Sequence, residues 1–312
     1  MRKTSFRICH SIACGCVALI GAAALLFCYS SAPAADGLFQ NRGALIAKYD
    51  SIKPKLEKNQ FGIPLYLDSN ENVNDSHVDI YGIFEYPFDC VRDAFGVPAN
   101  WCDIAILHMN IKAGTIAEIG NQWQVTLYDG LKSYQPPEDA FAIHCRFNIL
   151  SQLSDYLHVS LIADEGPLFT KNHSIVMEAA PLDKRTVFVH FNYSCRYARM
   201  GRMAIKTYFA TIGRNKKGFT VVDTDKEGNP RYVGGVRGAL ERTAVRYYFA
   251  LQTYMDSLNV PAEQRFEKRI NEWYDLTAHY PIQLYEMDKE DYLANKRREY
   301  ANQIILQSRA AR

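Results

Sequence analysis

The residues able to do chemistry are few, and their spacing matches no familiar reactive motif. The chain has 312 residues with eight cysteines and eight histidines. Beyond residue 35 it holds no Cys-x-x-Cys, no His-Glu-x-x-His, no Gly-x-Ser-x-Gly and no Ser-x-x-Lys. His144, His158 and His190 share the polar phase of three strand-like segments. A metal would need at least three ligands converging at about 2 Å. The order of those segments separates His190 from the other two, so solvated surface histidines are the expected reading. His108 with Asp103 one turn earlier would make an acid–base pair, and Tyr193 adds a third polar candidate. Gly234-Gly235-Val236-Arg237-Gly238 precedes a helix and could cradle an anion. It is not a P-loop, and a tight turn into a helix explains it equally. Arg237, Arg242 and Arg246 recur down that helix, where they would meet lipid headgroups or simply form a solvated face. No metal and no cofactor is expected, and catalysis is less favoured than binding.

The amino end reads as an export signal. Arg2, Lys3 and Arg7 precede an apolar run from Ile12 to Phe27, and Ser30-Ser31-Ala32-Pro33-Ala34-Ala35 offers a small-residue cleavage site. The run has about 16 residues, short of the ~20 that span a bilayer, so a cleaved signal over 1–35 is favoured over an anchor. Cys28 as a lipid attachment site is a lesser variant, because Phe27 precedes it rather than a small residue. The expected location is periplasmic or secreted. Three of the 36 basic residues leave with the signal, so 33 face 34 acidic ones. That balance gives no reason for nucleic acid, whose phosphates need clustered positive charge. The remaining cysteines are Cys90, Cys102, Cys145 and Cys195, in a compartment that permits disulfides.

These residues must be positioned by an α+β chain. A helix is expected over 38–58 and a polar loop or hairpin tip over 68–76. A strand over 78–86 ends at Pro87, and short helices follow at 87–95 and 100–107. Six strands then run over 111–119, 122–129, 140–149, 156–163, 174–180 and 185–197, joined by short turns as in an antiparallel meander. Their alternation puts Trp123, Phe141, Phe147, Leu161, Met177, Phe191 and Tyr193 on one apolar face and polar residues on a wet one. Cys145 and Cys195 fall on strands three apart, about 14 Å at ~4.8 Å per strand, so both should be free. Cys90 and Cys102 sit on consecutive short helices joined through Gly96 and Pro98, and are the candidate disulfide. Helices are expected at 200–212, at 237–258 with Tyr248 and Leu251 on its apolar stripe, at 261–279, and at 288–308 as a charged peripheral helix.

The order strand, two short helices, antiparallel strands, long helix resembles the START-like, or SRPBCC, superfamily of helix-grip folds. The stretch Tyr81-Gly82-Ile83-Phe84-Glu85-Tyr86-Pro87-Phe88-Asp89-Cys90-Val91-Arg92-Asp93-Ala94-Phe95, with Pro98-Ala99-Asn100-Trp101-Cys102, carries it. The chain also resembles uncharacterised exported bacterial proteins. The superfamily resemblance covers about 77–258, leaving 36–76 as an N-terminal helix and loop and 259–312 as a helical extension. It implies an apolar cavity between sheet and helix, holding a hydrophobic small molecule or lipid. Trp123, Phe141, Phe147, Leu161, Met177, Phe191, Tyr193, Tyr248 and Leu251 are its expected lining. Transient membrane contact fits such a role. A cyclase- or hydrolase-like enzyme on the same fold is the alternative. A partner-binding protein docking through 288–308 is the third.

Overall fold

Period-two alternation of apolar and polar residues builds the core of the molecule. The computed structural model describes residues 41–197 and 216–310. The signal expected over 1–35 and the helix expected over 200–212 lie outside them. Eight strands form one antiparallel sheet: β1 (Leu65–Glu71), β2 (Asp75–Phe84), β3 (Ile111–Ile119), β4 (Gln122–Asp129), β5 (Phe141–Gln152), β6 (Leu157–Glu165), β7 (Thr170–Pro181) and β8 (Val187–Tyr197). Their spatial order is β1-β2-β8-β7-β6-β5-β4-β3. From β3 to β8 this is the expected meander, and β8 returns to pair with β2. A small separate hairpin joins Val221–Thr224 to Pro230–Tyr232.

The helices are α1 (Arg42–Glu57), α2 (Phe88–Phe95), α3 (Pro98–Ala105), α4 (Gly235–Asp256), α5 (Ala262–Ala278), α6 (Pro281–Leu284) and α7 (Lys289–Ala310). Helix α4 packs against β1, β2 and β8. The two short helices sit between β2 and β3 in the chain, and the long helix follows the last strand of the meander. This is the helix-grip arrangement, in an α+β chain. The inward phase of the strands is buried as expected: Val125, Leu127, Phe147, Leu161, Met177, Val189 and Phe191 share a core with Tyr248, Phe249 and Leu251 of α4. Two glycines set how closely the layers meet. A Cβ on Gly82 would lie 1.7 Å from the Tyr248 hydroxyl, and one on Gly114 would lie 2.9 Å from Cys102 Cα. Helices α3 and α4 therefore press directly on the sheet.

Several expectations are corrected. Strand β1 was not anticipated, because its second half is the polar run Asp68-Ser69-Asn70-Glu71; pairing with β2, not patterning, makes it a strand. That pairing crosses the boundary at 76. Cys90 and Cys102 form no disulfide, and all four described cysteines are free. The buried residues of α2 are Phe88, Val91, Ala94 and Phe95, which leaves Cys90 in solvent, whereas Cys102 is buried against β3. Cys145 and Cys195 are free and buried, as their strand separation requires. We expect a thiol reagent to label Cys90 alone in the native mature chain and all four cysteines in denaturant. Protection of Cys90, or native labelling of the others, counts against this packing.

Nor is α7 peripheral. It docks on the edge strand β3, across the boundary at 258. Gln303 Oε1 accepts from Gly114 N–H at 2.7 Å, and Gln307 Oε1 accepts from Ile116 N–H at 2.7 Å. Gln307 also donates to Ile116 O at 3.0 Å. Four residues apart, these glutamines share one helix face and pair an edge that would otherwise invite another strand. One face of the helix thus has its partner within the chain.

Candidate functional site

The apolar phase of β4 ends in an acid. Trp123, Val125 and Leu127 are followed at the same two-residue step by Asp129, the last residue of the strand. Burial pushes the Asp129 carboxyl up to about 7, against the pull of Lys112. Two aromatic hydroxyls flank it electrostatically: Tyr193 on β8 and Tyr247 on α4, with ring centroids 6.2 Å apart. Burial first, and the Asp129 charge among other neighbours, hold both phenols protonated far above the usual range. Tyr193 Oη is 3.2 Å from His173 Nδ1, whose other nitrogen is 2.7 Å from Thr170 Oγ1. Burial lowers His173 to about 4, so it is neutral at pH 7. His108 stacks on Tyr247 at 5.0 Å. This end of the interface thus combines a carboxyl that burial pushes up to about 7 with two phenols and two histidines, the composition from which proton transfer or polar anchoring is built.

Asp103 is not part of it. Its carboxylate accepts from Arg269 at 2.8 Å and from Gln303 at 3.4 Å, tying α3 to α5 and α7. No hydrogen bond joins Asp103, His108 and Tyr193 to one another among the described residues, so that acid–base set is not assembled. Asp129 was missed, though an acid continuing the phase of Val125 and Leu127 was legible as an exception.

Of the expected lining, Phe147, Leu161, Met177, Phe191, Tyr248 and Leu251 are buried in the shared core, and Tyr193 packs against it. Trp123 and Phe141 are 42% and 44% exposed, because they stand on opposite ends of their strands, where this core does not extend. Aromatic contacts such as Phe84–Tyr248 at 5.6 Å and Phe84–Phe95 at 6.4 Å fill the part of the interface beneath α4. Four clefts lined by described residues all lie outside that interface. One, of about 260 Å³, lies between α1 and the chain entering β1, lined by Tyr49, Lys53, Leu56, Asn59 and Pro64.

The opposite face of the sheet is not simply wet. Helix α1 covers part of it, with Leu45, Ile52 and Leu56 packed on Tyr81, Tyr156, Ala180 and Phe188. Beside that contact runs a buried polar chain. His190, fully buried, has Nε2 2.7 Å from Asp79 Oδ1 and Nδ1 2.8 Å from Glu178 Oε2. Tyr156 donates to Glu178 at 2.6 Å, and Asn192 donates to Asp79 at 2.9 Å. Tyr81 stacks on the imidazole at 4.7 Å. Burial works to lower the His190 pKa, but the two carboxylates outweigh it and raise it. Thus His158 and His190 are buried rather than solvated, although their strands are not adjacent, and His144 is the exposed member of the trio. Among the described residues no group of three acids, cysteines or histidines is placed to hold a metal.

The remaining candidates lie before and along α4. Gly235 adopts φ +62, and a Cβ on Gly238 would lie 2.7 Å from Val233 O, so the glycines serve a turn and a close approach. Arg242 and Arg246 are buried, not a solvated face, and Arg237 donates to Ser69 at 2.8 Å.

No family model matches the chain, and no curated protein does. Solved structures do, distantly. A truncated norcoclaurine synthase from Thalictrum flavum is 11% identical, with a TM-score of 0.32 over 44% of this chain and 86% of that one. The ZhuI aromatase/cyclase from a Streptomyces species is 14% identical, with a TM-score of 0.32 over 45% and 86%. A conserved protein from Geobacillus kaustophilus is 10% identical, with a TM-score of 0.34 over 59% and 95%. Likenesses this distant carry no function, and the helix-grip description stands on the chain's own strand order.

Proposed function

We propose that the mature chain is an exported binding protein for a partly hydrophobic small molecule of lipid-like character. The ligand enters at the open end of the grip, around Asp129, Tyr193 and Tyr247. The observation that carries this reading is an acid continuing the apolar phase of β4, its carboxyl pushed up to about 7 by burial, in the neighbourhood of the Tyr193–Tyr247 pair, whose ring centroids are 6.2 Å apart. Polar groups converging in an apolar setting fix the orientation of an amphipathic guest. The packed aromatics beneath α4 favour a site at the mouth over a deep one. The signal-like residues 1–35 support work in the periplasm or outside the cell, where transient membrane contact would deliver such a guest.

Native mass spectrometry of the mature chain, offered a lipid extract, tests the reading. A bound mass in the wild type that is reduced in Asp129→Leu is the expected result. A single apo mass after exposure would sink it. A second reading is catalysis, cyclase- or hydrolase-like, with Asp129 moving a proton. It requires recovered guest to be chemically changed in the wild type and unchanged with Asp129→Asn.

A further inference from the structure

Beside the mouth lies a group of buried cations that the binding reading leaves unexplained. Lys112 and Lys296 sit on either side of Glu299, at 2.7 Å and 2.6 Å. Lys112 Nζ also donates to Met109 O and Ser133 O, and Lys296 Nζ to His108 O and Ile111 O. Nearer solvent, Lys132, Lys216 and Arg246 surround Glu286, the first at 2.5 Å and the last at 3.3 Å. Burial works to raise the Glu286 carboxyl, but these cations win and hold it at about 2. Five cations thus face two carboxylates, with Asp129 as a third acid whose carboxyl burial pushes up to about 7.

Two donors in this group have no acceptor among the described residues. His108 Nδ1 accepts from Asn110 N–H at 3.2 Å, so the neutral ring carries its proton on Nε2, and that N–H is unpartnered. Arg246 Nε–H is unpartnered as well. Both residues are only 4% exposed. Arg246 is the largest charged influence on His108, followed by Lys296, Lys112 and Lys132. An unmade buried donor is destabilising, and excess positive charge in a dry place is more so. An oxyanion with two acceptor atoms would answer both.

We infer that His108 and Arg246, in the field of the surrounding lysines, form a binding site for an oxyanion group, a carboxylate or a phosphate, with Lys132 and Lys216 at its entrance. The entrance lysines are 35% and 32% exposed, so the cation cluster reaches solvent at that end. Glu286 is the internal carboxylate that an incoming anion would displace from one or more of its cations. The inference deepens the reading above and rests on it for the apolar part of the guest: it gives that guest an anionic head. Burial first, and neighbouring cations as well, bring Lys132 and Lys296 down to about 8. A bound anion favours their charged forms, so affinity should weaken as pH rises past that value, and ionising Asp129 works in the same direction.

The test uses the mature chain labelled with 15N-histidine and three probes: inorganic phosphate, dodecanoate and methyl dodecanoate. Phosphate or dodecanoate should shift the His108 Nε2 resonance. Dodecanoate should bind at least about tenfold more tightly than its ester, and should weaken between pH 7 and pH 9.5. Lys132→Gln, at the solvent-exposed entrance, should reduce that preference and keep the fold; Arg246→Gln should abolish it. A shift with phosphate alone identifies a free anion as the ligand and refutes the amphiphile reading while the oxyanion site stands. Ester and acid binding equally, with His108 unmoved, overturns the oxyanion site and leaves the amphiphile reading standing. No shift with either anion overturns the site outright.

Discussion

Glu299→Leu is expected to destabilise the folded chain by about 3–5 kcal/mol. The carboxylate is fully buried and takes Lys112 on one oxygen and Lys296 on the other. Without it, two ammonium groups face each other in a dry space between β3 and α7, each left with two carbonyl acceptors. Coulomb repulsion and desolvation then act together. A Tm decrease on the order of 10 °C should result. Replacing the whole set, with Lys112→Met, Glu299→Leu and Lys296→Met, should recover most of the loss, because no charge is then stranded. The single variant's deficit should also narrow as pH rises. In the intact fold burial lowers Lys296 to about 8 while Glu299 holds it up; without Glu299 it falls further, so at pH values below about 8 the folded variant has already shed a proton that the folded wild type keeps, and the deficit shrinks as pH rises to that value. Urea unfolding of the three proteins at pH 7 and pH 9 measures all of this. A single-variant loss below about 1 kcal/mol would show that the triad is not dry.

The second large effect is at the opposite face of the sheet. His190→Leu should cost about 3–5 kcal/mol, since it leaves Asp79 and Glu178 buried without the imidazole between them. The pH dependence follows from the raised pKa of His190. A group held protonated by the fold contributes fully below its unfolded value, near 6.5, and that contribution is lost as pH rises through the folded value. Wild type should therefore lose stability relative to His190→Gln on going from pH 6 to above the folded pKa. A difference between the two that does not change with pH would mean that the imidazole is neutral in the fold and one carboxyl carries the proton.

Most of the sheet was legible because its strands bury one side. Alternation in β4 to β8 is strict enough that the strands and most of the inward set follow from it, although β7 begins at Thr170 rather than 174 and Trp123 and Phe141 are exposed, and the short links leave only antiparallel pairing. Helix α4 was legible for the same reason at a period of 3.6. The candidate site was less so. Asp129 continues the apolar phase of β4 and could have been noticed, but its titration near neutrality depends on how deeply the mouth is packed. Asp79, Glu178 and His190 carry a polar pattern that solvent would satisfy equally well. Only the covering of that face turns them into a buried chain.

Local pattern alone therefore determined the meander, the long amphipathic helix α4 and the separation that keeps Cys145 from Cys195. These are properties of segments, decided by side-chain period, turn residues and strand spacing. Which helix covers the sheet, 200–212 or 237–258, local pattern left open. Tertiary structure decided what a charged or polar residue does. It placed Cys90 in solvent and Cys102 in the core, buried Arg246, and laid the charge-rich α7 on β3, where Gln303 and Gln307 complete a strand's hydrogen bonds. It also brought Lys112 and Lys296 to one carboxylate. A charge is read as surface until a partner from a distant part of the chain neutralises it, and that partner lies more than 180 residues away from Lys112. Sequence spacing carries no trace of such a contact, because only the fold brings the two together.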